Sequence, residues 1–147
     1  MLIRNILEES ARKFDEVKAV KWLNKKEIME RSYGELMENV VSTRKGLLAE
    51  GFEGKHIALI GTSSVEWMES YLGIITGCTT AVPLDAALPC EDLIDLLNRS
   101  DSVALFLSPK LKPYLDAFLE NCPKLQKVWM LQEEVEDAPA KVYGIGE

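Results

Sequence analysis

Four short apolar runs recur along the chain, at Ile57–Ile60, Ala81–Leu84, Val103–Leu107 and Val128–Leu131, and a segment of helical period separates each from the next. Strand, helix, strand, helix, strand, helix, strand is the order in which right-handed crossovers build a parallel sheet. The runs are continuous rather than alternating, as expected of strands covered on both faces. Between them, Val65–Thr76 turns Met68, Tyr71, Leu72 and Ile75 inward, and Glu91–Asn98 turns in Leu93, Ile94, Leu96 and Leu97. Ser108 is expected to cap a third helix with Pro109 in its first position and Leu111, Tyr114, Leu115, Phe118 and Leu119 on its core face.

Upstream the pattern differs. Ile3–Phe14 reads as a three-turn amphipathic helix, and Ala19–Leu23 and Glu27–Arg31 read as a hairpin about the polar turn Asn24–Lys26. SYGE (Ser32–Glu35) has the spacing of a capping box, and Gly51 stands where the helix it opens should end. Ser63 and Glu66 repeat the capping-box spacing before the next helix. The expected fold is therefore α/β: a mostly parallel sheet with helices on both faces, a Rossmann-like lobe, preceded by a helix and a β-hairpin.

Pro83 lies inside an apolar run, where its missing N–H is tolerated only if the ladder is ending. The segment Pro83–Pro89 then leaves the sheet at its carboxyl edge, where open α/β sheets usually bind ligands. The stretch 132–147, with Glu133, Glu134, Glu136 and Asp137, reads as an acidic, irregular tail behind a domain of residues 1–131. A sheet that stops so abruptly implies a missing continuation.

The 147 residues carry a formal net charge of −7, and no basic cluster offsets it: Lys110 and Lys112 are isolated, and Lys25–Lys26 sit in the hairpin turn. Nucleic acid is thus not an expected partner. A small anion is not excluded, because screening acts over roughly 8 Å and a local pocket can oppose the global sign. No segment reaches the roughly 18 unbroken apolar residues of a membrane span. The N-terminus lacks a cleavage site, and a cytoplasmic location is expected. Cys78, Cys90 and Cys122 are odd in number and widely spaced, so buried reduced thiols are expected rather than disulfides or a metal site.

His56 is the only histidine, and it has no second histidine to orient it as a general base. Gly61-Thr-Ser-Ser, between strand and helix, could meet an anion with backbone N–H groups, but it has neither dinucleotide-loop nor P-loop spacing, and ordinary capping explains it. Asp85 suits a turn or cap, Trp67 and Trp129 suit packing, and Trp22 belongs to the hairpin. SPKLKP (Ser108–Pro113) resembles the lysine-proline step of phospho-receiver domains, but Ile57–Ile60 ends in Gly-Thr-Ser rather than the aspartate such domains need. These residues assemble no nucleophile, base and oxyanion donor, so no catalytic, cofactor-binding or metal residue is assigned.

Several motifs in order resemble the N-terminal portion of the AMP-forming adenylate synthetases, the superfamily of acyl-CoA synthetases, peptide-synthetase adenylation domains and luciferases. SYGEL (Ser32–Leu36) resembles their "[ST]-Y-x-E-L" helix start. Gly51 through Gly54-Lys-His-Ile-Ala-Leu resembles "G-x-x-x-G-D-x-V-A-[IL]", with Lys55 where aspartate is usual. SSVEW (Ser63–Trp67) resembles "N-S-x-E-[WF]", with Ser63 for asparagine. LGIITGC followed by AVPLD resembles "A-x-x-x-A-G-[AG]-x-x-x-P-[LI]", and Leu88–Pro89 matches the proline beyond it. The resemblance covers about residues 3–131, and PLDAALP with DLLNRSDS leans toward the acyl-CoA synthetase branch.

The resemblance implies a ligation in which ATP, a carboxylic acid and coenzyme A give acyl-CoA, AMP and pyrophosphate, with Mg²⁺. It also implies that the phosphate loop, adenine pocket and catalytic lysine lie beyond this chain, because no "S-G-[ST]-T-G-x-P-K" occurs in it. The chain is expected to be the inactive scaffold lobe of such an enzyme, whether deliberately shortened, a natural fragment or a degenerate product. The remainder of the synthetase is then its partner, and apolar surface left uncovered favours self-association. The alternative is a stand-alone, non-catalytic α/β binding or regulatory module.

Overall fold

The computed structural model of the protein describes residues 2–132 and 142–144. It opens with α1 (Ile3–Lys13) and an antiparallel hairpin, β1 (Lys18–Asn24) and β2 (Glu27–Ser32), that forms a sheet of its own. α2 (Tyr33–Ala49) follows, then the regular alternation: β3 (His56–Ile60), α3 (Val65–Ile75), β4 (Thr80–Leu84), α4 (Cys90–Arg99) and β5 (Ser102–Leu107). A 3₁₀ segment (Pro109–Tyr114) leads into α5 (Leu115–Asn121), and β6 (Lys127–Met130) and β7 (Val142–Gly144) complete the second sheet. That sheet is wholly parallel, in the order β4-β3-β5-β6-β7.

Successive residues of a strand point to opposite faces, and the core divides accordingly. Ala58, Ile60, Leu105, Leu107, Val128 and Met130 face α4 and α5, meeting Leu93, Leu97, Leu115 and Phe118. Ile57, Leu59, Ala104 and Phe106 face the other way, against Leu47 and Phe52 at the end of α2 and Ile74 of α3. On that side Trp129 stacks on Phe106 at 4.9 Å between ring centres and takes the edge of Phe52.

Local chemistry sets the joints. Ser32 and Glu35 close the expected capping box at the start of α2, at 3.1 and 2.9 Å, which satisfies two otherwise orphaned amides. Gly51, with φ of +77°, turns the chain out of that helix in the left-handed region that residues with a Cβ avoid. At Gly73 α3 lies so close to α2 that an added Cβ would stand 2.5 Å from the Thr43 Cβ and 3.1 Å from the Val40 carbonyl oxygen.

Several expectations are corrected. Ser64, not Ser63, caps α3, its hydroxyl accepting from the Trp67 amide at 3.1 Å. The segment after β5 is not one helix capped by Ser108. Pro113 would break an α-helical ladder there, and the backbone takes the tighter 3₁₀ path before α5 begins. β4 is not a buried strand: it is the sheet's edge, no residue in it is fully buried, and Pro83 is exposed. Of the three free cysteines only Cys122 is buried, and Cys78 is exposed. In the stretch 132–147, Val142–Gly144 pairs in parallel with β6, a strand too short to show a period. The acidic run Glu133–Asp137 lies outside the described residues.

Replacing Ser32 by Ala should remove the hydroxyl that accepts from the Glu35 amide, leave the residue-32 amide free to donate to Glu35, and lower unfolding free energy by about 1 kcal/mol, read by urea denaturation with an unchanged slope. Gly73→Ala should cost about 1–3 kcal/mol through overpacking, more than the roughly 1 kcal/mol that helix propensity returns.

Candidate functional site

The sheet changes direction between β3 and β5: one crossover from β3 leads outward to β4, and the next returns past β3 to β5. In open α/β sheets the crevice at the carboxyl ends of such a pair is the ordinary ligand position. Here it is bounded by the loop Gly61–Ser64 after β3, the turn Asp85–Pro89 after β4, and Ser108 after β5.

The chain's own groups meet across part of this crevice. Ser108 is 1% exposed, donates its amide to the Ile60 carbonyl at 3.0 Å, and accepts from the Thr62 amide through Oγ at 3.2 Å. A Cβ on Gly61 would stand 2.1 Å from that Oγ, so the two loops meet with no side chain between them. Ser64 Oγ takes the Trp67 amide at the start of α3, and the Trp67 ring lies stacked on Tyr71 at 5.3 Å. Glu66 accepts from Gln132 Nε2 at 3.0 Å, bridging α3 to the end of β6. Asp85 forms the expected turn, its Oδ1 accepting from the Ala87 amide at 2.9 Å. The amides of Thr62 and Trp67, which an anion would need, are therefore already satisfied by serine hydroxyls.

At the opposite, amino edge of the sheet an open cleft of about 510 Å³ is lined by Gly54, Lys55, His56, Asp101, Lys124 and Gln126. Lys124 forms a close ion pair with Asp101, and that hydrogen bond holds the Asp101 carboxyl below the usual carboxylate range. The His56 ring is exposed, and its Nδ1 meets the Ser100 carbonyl oxygen at 2.6 Å, which assigns the proton to Nδ1. His56 thus lies about as far from the crevice as the length of β3 allows. Among the described residues no three His, Cys, Asp or Glu side chains are grouped as metal ligands, and no helix is long and apolar enough to cross a membrane. Burial pushes the Cys122 thiol up, and Cys90 is raised first by desolvation and then by Glu91, so neither is an activated nucleophile.

One buried titratable group escaped the sequence reading. Glu69 sits on the inner side of α3 at 5% exposure. Nothing in its neighbourhood of sequence marks it, because an acid in an amphipathic helix reads as solvated unless its partners are known.

The family model described as "AMP-binding enzyme" matches residues 7–144. No curated protein sequence matches the chain significantly. Among solved structures, coronafacic acid ligase from Pectobacterium brasiliense superposes with a TM-score of 0.87 at 21% identity, over 98% of this chain and 28% of its own. Acetoacetyl-CoA synthetase from Streptomyces lividans gives 0.85 at 14% identity, over 96% and 24%. An anthranilate CoA ligase in complex with anthranoyl-AMP gives 0.76 at 19%, over 86% and 24%. At such identities the likeness is one of fold, and this chain spans between 24% and 28% of the length of these three proteins.

Gly61→Ala should destabilise the protein by about 1–3 kcal/mol through its collision with Ser108. Combining it with Ser108→Ala should recover part of that loss, so a double-mutant cycle by thermal denaturation is expected to be non-additive. An additive cycle would place the two loops apart.

Proposed function

This chain belongs to the AMP-binding enzyme family, and from that membership we propose that it forms the N-terminal scaffold of an AMP-forming carboxylate–CoA ligase. The observation that carries this reading is the match over residues 7–144, together with solved neighbours that are themselves described as CoA ligases or synthetases. The placement of the motifs supports it. SYGEL lies at the capped start of α2, SSVEW at the capped start of α3, and AVPLD runs along β4 into the Asp85 turn.

The overall reaction assigned to the complete enzyme is ATP, a carboxylic acid and coenzyme A to acyl-CoA, AMP and pyrophosphate, with Mg²⁺. The described residues do not fit a Mg²⁺-nucleotide site. The Thr62 and Trp67 amides are taken by serine hydroxyls, and among the described residues no carboxylate cluster stands there to hold the cation. The chemistry is therefore assigned to residues outside this lobe, and no step is routed through it. Its own work is to hold the carboxyl edge of a rigid sheet against which a site can be built.

Calorimetry of the 147-residue chain with MgATP should show no saturable heat, and pyrophosphate release with an organic acid should stay at background. A micromolar dissociation constant, or magnesium-dependent release, would overturn the scaffold reading. The coding sequence downstream should carry a Ser/Thr/Gly-rich phosphate loop within about 30 residues, and an immediate stop codon would favour a self-sufficient module.

The first 32 residues carry most of the exposed large apolar side chains among the described residues, including Leu2, Ile3, Ile6, Val17, Leu23 and Ile28. We assign this flank to contact with the remainder of the ligase, since the solved neighbours are several times longer than this chain. Isolated, it should self-associate. Light scattering should report a mass that rises with concentration and falls in the variant Leu23→Lys with Ile28→Glu, whereas a monomer at every concentration would refute the assignment.

A further inference from the structure

The β1–β2 hairpin forms a sheet of its own, and its register sorts its side chains into two faces. Trp22, Met29 and Arg31 share one face, which turns toward the α/β body. The Arg31 guanidinium carbon lies 5.4 Å from the centre of the Trp22 ring, and its Nε lies 3.3 Å from Glu69 Oε1 on α3. Lys21, Leu23, Ile28 and Glu30 share the other face, which looks away from the body. There Leu23 and Ile28 stand directly opposite one another, 70% and 67% exposed. Just beyond them the turn carries Lys25 and Lys26, both exposed.

The charge of this segment runs against that of the chain. Residues 18–32 hold Lys18, Lys21, Lys25, Lys26 and Arg31 against Glu27 and Glu30, a formal net of +3; the whole chain stands at −7, so the rest of it carries −10. Lys21 is paired with Glu30 at 3.4 Å and Arg31 with Glu69, but Lys18, Lys25 and Lys26 have no carboxylate partner among the described residues. The body is correspondingly acidic. On its outer side α4 and α5 expose Glu91, Asp92, Asp95, Asp116 and Glu120, and Arg99 is the one cation on these two helices.

Resting on the reading that this flank is a contact surface left uncovered in the isolated chain, we propose that the outward hairpin face docks on the acidic body of a second copy, head to tail. Leu23 and Ile28 form the centre of the contact, and the turn lysines meet carboxylates at its rim. Two hairpins laid face to face would cover the same apolar pair, but they would set +3 against +3, and like charges juxtaposed across an interface suppress that pairing. Hairpin on body brings opposite signs together, and the same fields steer the encounter. Such a contact joins two different patches, so each copy keeps one hairpin or one body free, and assembly does not stop at a dimer.

Sedimentation of the intact chain across a salt series tests this. Between about 0.05 and 0.5 M NaCl the association constant should fall by about tenfold as screening shortens the reach of the charges. Lys25→Glu with Lys26→Glu turns the hairpin to a net of −1 and should weaken association at low salt at least as much, whereas it would strengthen a hairpin-on-hairpin contact. Association undiminished by salt or by the charge reversal would overturn the proposal while leaving the flank a contact surface. A monomer at every concentration overturns both. Should the variant fail to fold, zero-length carbodiimide coupling of the wild type decides, with isotope-labelled and unlabelled copies mixed. Lys18, Lys25 or Lys26 should link to carboxylates of the other copy outside residues 18–32, and links confined to Glu27 and Glu30, or none, refute the contact.

Discussion

The structure depends on the complete burial of β3 and β5. Ile57, Ala58, Leu59 and Ile60 keep no accessible surface, nor do Ala104, Leu105 and Leu107. Two adjacent parallel strands sealed on both faces require a helical layer on each: the crossovers supply α4 and α5 on one side and α3 on the other, where the end of α2 joins it. Burying a large aliphatic side chain is worth about 1.5–3 kcal/mol, so this pair of strands anchors the domain far more strongly than any of its surface ion pairs. The close approaches at Gly73 and Gly61 follow from the same demand, since layers sealed so tightly meet where side chains must be absent.

The order of elements was visible in the sequence because buried parallel strands and amphipathic helices differ in period. Ile57–Ile60 and Val103–Leu107 could hardly be anything else. The errors fell where local chemistry had two solutions. Ser63 and Ser64 are adjacent hydroxyls, and only the backbone path decides which caps α3. Ser108 was expected to cap a helix and instead spans the sheet edge to Thr62, a contact 46 residues apart that no local rule contains. Val142–Gly144 is shorter than any period that could announce it.

The candidate site was less readable, for a different reason. The family motifs in this lobe mark structural joints, namely caps, turns and strand ends, rather than reacting groups. SYGEL and SSVEW place Ser32, Glu35, Ser64 and Trp67 where they finish helices, and Asp85 turns the chain on itself. Such residues read equally well as architecture or as function until their hydrogen-bond partners are known. Glu69 shows the converse. It is buried, and Arg31 and Asn39, which act on its carboxyl, lie on two other elements, so one helix viewed alone cannot reveal its setting.

Pro83 on the outer strand has an effect beyond this fold. An edge strand with a full row of N–H groups is a template on which a neighbouring chain can crystallise another strand. β4 interrupts that row at Pro83, opposite Leu59, with a ring nitrogen that cannot donate. Strand addition is therefore disfavoured at this margin.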